Sequence, residues 1–140
     1  MKILLPVDGS TFSKRMLAYV AAHDEWLGDR HDYTVLHVTP ALPPRAAAQI
    51  PREVLASYYA ETSDKVFKPI RRFFQQQGLS AQFVTKVGPA AAVINEVAQK
   101  GRFDLLLMGS HGHGSLGQLM LGSVTSKVLA HGTEPVLIVR

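Results

Sequence analysis

Glycine residues are concentrated in one segment near the end of the chain, where they could form an anion-binding loop. Five of the 11 glycines lie between Gly109 and Gly122. Because glycine has no side chain, a polyanion can approach the peptide amides of such a loop closely, and a helix that follows adds unpaired N–H donors. Ser123 is expected to cap that helix, to donate its hydroxyl to a phosphate, or to do both. The structural alternative is that glycine reaches positive φ cheaply in a strand-to-helix loop, which accounts for one or two of the five.

A few other polar residues could take part in chemistry. Asp8 follows an apolar run, where its carboxylate could cap a helix or contact a ligand, and we favour the ligand. His111 and His113 could suggest zinc, but no cysteine or nearby carboxylate completes a ligand set, so we predict no metal site and treat them as loop histidines near phosphate. The motifs of P-loop enzymes, nicotinamide enzymes and serine hydrolases of the nucleophile-elbow type are absent.

Five apolar runs bounded by turn residues predict the strands that position these groups. They cover residues 3–7, 33–38, 81–87, 105–108 and 136–139. Most of them are nearly continuous in Ile, Leu and Val, the pattern of strands that are covered on both faces in a parallel sheet. Helical patterns lie between them, at 10–28, 51–77, 88–101 and 122–132. Pro69 predicts a kink or break in the second helix, Pro89 should occupy the first position of the third, and residues 40–50 are expected to form a flexible loop.

The order of the elements predicts an α/β fold, a single doubly wound five-stranded parallel sheet with helices on both faces. In this architecture ligands bind beyond the carboxyl ends of the strands, where the strand order reverses. The residues around Val7, Val38 and Met108 are therefore the ones expected to line a site. At 140 residues the chain is expected to form one domain, spanning residues 1–140.

Composition narrows the classes of partner. The 15 Lys and Arg against 11 Asp and Glu give a formal charge of +4, but the positive charges are scattered and do not alternate with aromatic residues, so we predict no nucleic-acid partner. The chain has no cysteine, which excludes disulfides and cysteine nucleophiles. No apolar run approaches the ~20 residues of a membrane span, and a signal-peptide core is missing, so we predict no membrane partner and a cytoplasmic protein.

The glycine segment resembles the phosphate-binding motif of the universal stress protein family, in its ATP-binding branch. That motif is Gly, two residues, Gly, nine residues, Gly and then Ser or Thr, and here Gly109, Gly112, Gly122 and Ser123 have this spacing. Residues 4–10, 35–39 and 134–139 are similar to the family's opening, second and closing strands. The resemblance therefore covers almost the whole chain and implies the Rossmann-like fold, related to adenine nucleotide alpha hydrolases, of that family.

The resemblance also implies a set of site residues and a partner. Asp8 would lie by the adenosine, Pro6, Val7 and Val38 would contact adenine, and the ribose and phosphates would be held by Gly109, Gly112, His113, Gly122, Ser123 and Val124. We add Met108, which ends the fourth strand at the same edge. Family relatives commonly form homodimers through the last strand, so the interface is expected at Val136, Leu137, Ile138 and Val139, where an exposed edge would otherwise favour aggregation.

These observations predict a stress-response or signalling module that binds ATP, with or without Mg²⁺, or AMP or another adenine nucleotide. Residues 113–121 contain no Lys or Arg, whereas many nucleotide-binding relatives carry a basic residue there. The alternative is accordingly a protein-interaction domain of the same fold that binds no nucleotide. Whether the chain is an enzyme stays open: without a positioned base or arginine finger we expect no catalytic residues and at most slow ATP hydrolysis or autophosphorylation.

Overall fold

The computed structural model describes residues 1–112 and 120–140, and strands and helices alternate along them. In chain order these elements are β1 (Lys2–Pro6), α1 (Thr11–Ala22), α2 (Asp24–Leu27), β2 (Asp32–Thr39), α3 (Pro44–Ala48), α4 (Arg52–Gln76), β3 (Ala81–Val87), α5 (Ala90–Lys100), β4 (Leu105–Gly109), α6 (Ser123–His131) and β5 (Val136–Val139).

The five strands form one parallel sheet in the order β3-β2-β1-β4-β5. The chain thus starts in the middle of the sheet, builds outward to β3 and then returns to the other side of β1. The predicted doubly wound α/β fold with five parallel strands is confirmed, and the strand ends differ from those predicted by one residue at most. The strand order reverses beside β1, between its neighbours β2 and β4.

Each face of the sheet carries its own buried cluster. Successive side chains of a strand point to opposite faces, so Ile3 and Leu5 pack on one side with α1 and α4, while Leu4 packs on the other with α5 and α6. All three side chains are fully buried. Coverage of both faces explains why the strands are continuously apolar instead of alternating with polar residues.

The first predicted helix is two helices in the structure. α1 ends at Ala22 and α2 begins at Asp24, because His23 leaves the helical region with φ −125° and ψ 49°. Its ring stacks on Tyr19 at 4.0 Å between centroids, and its Nδ1 lies 2.8 Å from the Tyr19 carbonyl oxygen. A side chain that binds the backbone of the preceding turn in this way replaces the next helical hydrogen bond, which the apolar spacing alone could not reveal.

Three smaller expectations about helices are corrected. α4 continues through Pro69 without a break, because Phe67, Ile70 and Phe74 are buried on both sides of the proline and hold the helix against the sheet. The segment 40–50, expected to be a loop, contains α3, whose alanines are the best helix formers. Pro89 is the N-cap of α5 and not its first residue.

Among residues 1–112 and 120–140, we find no helix with the length and apolar character needed to cross a membrane.

Candidate functional site

A cavity of about 510 Å³ lies beyond the carboxyl ends of β1, β2 and β4, where the strand order reverses. The structure brings together here ten of the residues that the sequence predicted: Pro6, Val7, Asp8, Val38, Met108, Gly109, Gly112, Gly122, Ser123 and Val124. The eleventh, His113, lies outside the described residues. Parallel strands bring their carboxyl ends to one edge of the sheet, so residues that are about 100 positions apart in sequence become neighbours.

Asp8 is held in the turn between β1 and α1 by two hydrogen bonds to one oxygen. Its Oδ1 accepts from Ser10 N and from Ser13 Oγ, both at 2.9 Å, while Asp8 N donates to Ser13 Oγ at 3.1 Å. Ser10 is the N-cap of α1, and its own Oγ accepts from Ser13 N. The capping alternative is therefore wrong in its detail, since Ser10 is the N-cap and the Asp8 carboxylate supports it from the preceding turn. Asp8 also lines the cavity, where the ligand alternative requires it to be.

The glycines after β4 are explained by close approach of neighbouring groups. A Cβ at Gly112 would lie 2.3 Å from Asp8 Oδ2, and a Cβ at Gly109 would lie 2.8 Å from the Cβ of Phe12 in α1. At Gly109 the backbone of Phe12 leaves no room for a side chain, whereas at Gly112 a side chain would have to displace the Asp8 carboxylate. Gly109 and Gly112 therefore lie directly against the start of α1 and the turn after β1.

The start of α6 faces the same loop. Gly122 is the N-cap, its N donates to the Ser110 carbonyl at 2.8 Å, and Thr125 Oγ1 donates to the Gly109 carbonyl at 3.0 Å. Among the described residues no side chain caps the helix, so the capping alternative for Ser123 is wrong: Ser123 is the first helical residue. The first amides of a helix have no partner inside it and carry the positive end of its dipole. An anion in the cavity would meet these amides and the Ser123 hydroxyl.

Another part of the cavity wall, away from the start of α6, is apolar. Leu36 and Met108 are buried, and Ile94 of α5 is only 3% exposed. Together with Val38 they belong to or pack against the buried cluster under α5 and α6. The combination of an apolar wall and a helix start suits a ligand with a flat, uncharged part and an anionic part.

Two histidines also line the cavity: His111, which the sequence analysis interpreted as a loop histidine near phosphate without including it in the set of site residues, and His37, which it missed. His37 belongs to β2 and is 7% exposed, with its Nδ1 2.8 Å from Ser63 Oγ of α4. Burial lowers the pKa of His37, and the carboxylate of Asp8 opposes this in part. His111 lies between two motif glycines, so its position in the motif was a signal that could have identified it. The other lining residues that were missed are Ser13, Leu36, Pro40, Ala90, Ile94, Met120, Leu121 and Thr125.

A larger and more open groove, of about 920 Å³, lies along β3 and α5. It reaches the amino ends of the strands, where Lys2, Asp32 and Ala81 begin β1, β2 and β3. Its lining contains neither the glycine loop nor a helix start, and ligands of doubly wound folds bind at the opposite edge. We therefore assign the functional site to the smaller cavity.

Within the same described ranges, no group of three or more His, Asp or Glu side chains is placed to hold a metal ion.

Comparisons of the sequence and of the structure with known proteins identify one protein family. The profile of the universal stress protein family matches residues 1–140. A universal stress protein of Thermus aquaticus is 32% identical, over 99% of this chain and 97% of that protein. The solved structure of MJ0577, a universal stress protein of Methanocaldococcus jannaschii, superposes with a TM-score of 0.82 at 28% identity, over 99% of this chain and 94% of that one.

Several more distant structures of the same fold contain adenine nucleotides. A universal stress protein from Archaeoglobus fulgidus was solved with dAMP, a family protein from Arabidopsis thaliana with AMP, and a further universal stress protein with cAMP. Their identities to this chain are 16–18% and their TM-scores 0.66–0.69. At this identity they show a shared fold.

Proposed function

Because the chain belongs to the universal stress protein family, we propose that it is a stress-response module that binds an adenine nucleotide, ATP with Mg²⁺ or a related compound, in the cavity at the switch point. The dAMP, AMP and cAMP complexes of proteins with this fold support the adenine part of the proposal. The choice of ATP among the adenine nucleotides rests on the spacing of Gly109, Gly112, Gly122 and Ser123.

One observation carries the proposal: the motif glycines and the uncapped start of α6 converge on one cavity that also has an apolar wall. The adenine ring would lie against Val38 and Met108, with Pro6 and Val7 at its edge. The phosphates would lie at the other end, near the first amides of α6 and Val124. Asp8 stands between the two ends, at the place where a ribose hydroxyl could donate to its carboxylate.

Binding, and not turnover, is the proposed activity. Efficient phosphoryl transfer needs a positioned base and a cation that stabilises the transition state. The described lining of the cavity contains one carboxylate, which already accepts two hydrogen bonds, and no Lys or Arg. We therefore expect at most slow ATP hydrolysis or autophosphorylation, with the bound nucleotide changing the surface that the protein presents to partners.

The same lack of a fixed cation favours a second function, a protein-interaction domain with the same fold whose cavity stays empty. Nucleotide binding distinguishes the two functions directly.

We further propose a homodimer formed through the edge of β5, at Val136, Leu137, Ile138 and Val139. The cytoplasmic location stays a prediction.

Gly122→Val tests the proposed phosphate site. A Cβ at Gly122 would lie 3.0 Å from the Cα of His111 and 3.4 Å from the Ser110 carbonyl oxygen, so a branched side chain must displace the loop. We expect this variant to lose at least about tenfold in affinity for ATP, measured by calorimetry, because phosphate contacts contribute more than ~1.4 kcal/mol. Ser126→Val, on the exposed side of α6, adds the same side chain away from the cavity and should bind normally. Unchanged affinity for ATP in a folded Gly122→Val protein would contradict the proposed phosphate site.

A further inference from the structure

His37 brings to the cavity a polar side chain that the proposed function does not use. It lies near the carboxyl end of β2, lines the cavity and is 7% exposed. Its Nδ1 is 2.8 Å from Ser63 Oγ of α4, and Thr39 Oγ1 lies 3.5 Å from the same nitrogen. The ring also makes an edge contact with Phe67, with 6.1 Å between the centroids. The imidazole is therefore held in one orientation from the α4 side.

The contact with Ser63 determines which nitrogen of His37 has the hydrogen. Ser63 is 1% exposed, and in the described chain its hydroxyl has no hydrogen-bond partner other than His37. A buried hydroxyl that does not donate leaves its hydrogen unsatisfied, which costs stability, so we infer that Ser63 Oγ–H donates to Nδ1. Burial lowers the pKa of His37, although the Asp8 carboxylate opposes this in part, so the neutral ring is the favoured form. In a neutral ring whose Nδ1 accepts, Nε2 has the hydrogen.

The Nε2–H group of His37 is unpartnered but not sealed from solvent. No hydrogen bond reaches this nitrogen within residues 1–112 and 120–140. In those ranges, the side-chain polar atoms that are both buried and unpartnered belong to Asn95 and His111, so Nε2 of His37 keeps contact with a space that water can enter. The cavity at the switch point is such a space, and His37 lines it. A ligand there can replace the water and accept from Nε2–H.

The Asp8 carboxylate is the second polar group at this end of the cavity. β1 and β2 pair with Pro6 opposite Leu36, so Asp8 and His37 follow soon after paired residues on neighbouring strands. Both residues line the cavity, and the charge of the carboxylate acts on the His37 ring. A carboxylate only accepts hydrogen bonds, whereas Nε2–H only donates. A hydroxyl can serve both at once, because it accepts through its oxygen and donates its hydrogen.

In an adenine nucleotide the groups with this double capacity are the sugar hydroxyls. The ring nitrogens of adenine only accept, and its amino group serves as a donor. Phosphate oxygens would be repelled by the Asp8 carboxylate. The sugar is therefore the part of the ligand that suits the space between His37 and Asp8.

We propose that His37 and Asp8 together select the sugar of the nucleotide: Nε2–H of His37 donates to a ribose hydroxyl, which donates in turn to the Asp8 carboxylate. This inference rests on the proposed nucleotide site and adds a specificity-determining residue to it. A deoxyribose that lacks this hydroxyl would leave Nε2–H and the carboxylate without their shared partner. We expect ATP to bind about five- to fiftyfold more tightly than that deoxy nucleotide.

The test is calorimetric titration of the full chain with ATP, 2′-deoxy-ATP and 3′-deoxy-ATP, each with Mg²⁺. The two deoxy nucleotides identify which hydroxyl is recognised. The measured quantity is the ratio, within one protein, of the affinity for ATP to the affinity for the more weakly bound deoxy nucleotide. Damage to the fold lowers the affinity for all three nucleotides alike and leaves this ratio unchanged.

Three variants assign the ratio to a residue. His37→Leu removes the donor and keeps an apolar side chain in place of the ring, so the ratio should fall at least about threefold. His37→Gln places an amide N–H near the position of Nε2 and should keep most of the ratio, a rescue that a residue with only a packing role would not show. His111→Leu, the same change at the other histidine of the lining, is the matched control and should keep the wild-type ratio.

Equal affinities of the wild type for ATP and for both deoxy nucleotides would overturn the proposal, and this comparison needs no variant. A ratio that survives in a folded His37→Leu protein would overturn the role of His37. Equal losses in His37→Leu and His37→Gln would do the same, since the shape of the ring and not its N–H group would then make the difference. All three results leave the nucleotide site standing, whereas no binding of any nucleotide would refute both the site and the inference.

Discussion

His37 is buried between the sheet and α4, and this environment favours the neutral imidazole over the imidazolium. Its ring makes an edge contact with Phe67 at 6.1 Å between centroids, and its Nδ1 is hydrogen-bonded to the Ser63 hydroxyl. Burial lowers the pKa of His37 below the ordinary value of 6.5. The unfolded chain consequently binds a proton at this position more readily than the folded chain does.

This shift predicts how stability depends on pH. With a lowered pKa in the folded state, the free energy of unfolding that depends on neutral His37 is fully present above about pH 6.5 and is lost as the pH falls through and below that value. Denaturant unfolding at pH 8 and at pH 5 should show a smaller loss of stability in His37→Gln than in the wild type. His131→Gln, at an exposed position, is the control and should follow the wild type. An equal loss in all three proteins would mean that His37 does not titrate in this way.

At the scale of single residues, the sequence predicted the candidate site from motif spacing and from strand ends. That reasoning reached most of the strand ends, the motif glycines and the start of α6, and it missed the residues that α5 brings in. Ala90 and Ile94 line the cavity only because α5 crosses the sheet at this point, and such a crossing cannot be deduced from periodicity. For Asp8 the sequence left two alternatives, a helix cap and a ligand contact, since a carboxylate after a strand suits both.

At the scale of elements, the short helix α2 is attached to the sheet by one buried tyrosine. The hydroxyl of Tyr33, in β2, donates to the carbonyl oxygens of Leu27 and Gly28, the latter at 2.9 Å, and so satisfies the end of α2. Burial raises the pKa of Tyr33 to about 12, with a further contribution from Asp29. The hydroxyl therefore stays protonated and donating at all ordinary pH values.

Tyr33→Phe is expected to lower the free energy of unfolding by about 1–3 kcal/mol, because it leaves buried carbonyls without their donor while the ring contact with Phe74 is kept. Tyr58→Phe removes a hydroxyl from a residue that is 46% exposed on α4 and should change stability by less than about 0.5 kcal/mol. Urea unfolding of both variants measures the difference. Equal effects would show that the Tyr33 hydroxyl does not support α2.

The elements themselves were largely predictable, and the exceptions have local causes. The five strands follow from apolar runs that are covered on both faces. The break at His23 depends on a side chain that binds its own helix, and the continuity of α4 through Pro69 depends on packing of its buried face. A side-chain contact within one turn decides the first and tertiary packing decides the second, and apolar periodicity reveals neither.

At the scale of the whole molecule, the sheet ends in β5, which pairs with β4 on one side only in the described chain. Ile138 is half-buried and belongs to neither buried cluster, whereas Leu137 packs against the cluster under α1 and α4. Ile138 is thus the better of the two positions for testing the proposed dimer without disturbing the core. An unprotected apolar edge strand would be prone to pair with other chains.

Ile138→Lys should shift the protein toward the monomer in sedimentation velocity experiments, because two copies of a charged side chain would face each other across a symmetric interface. Val54→Lys, at a position that is 56% exposed on α4, adds the same charge elsewhere and should leave the sedimentation profile unchanged. A folded Ile138→Lys protein that sediments like the wild type would exclude the interface at β5.

The central claim is that the cavity at the switch point binds an adenine nucleotide. Calorimetric titration of the purified, nucleotide-stripped protein with ATP and Mg²⁺, with AMP and GTP in parallel, tests it most directly. We predict saturable binding of ATP with a dissociation constant on the order of micromolar, and weaker or no binding of GTP, since an apolar wall offers no partners for the additional polar groups of guanine. Absence of binding by every nucleotide would contradict the claim and would favour the interaction domain with an empty cavity.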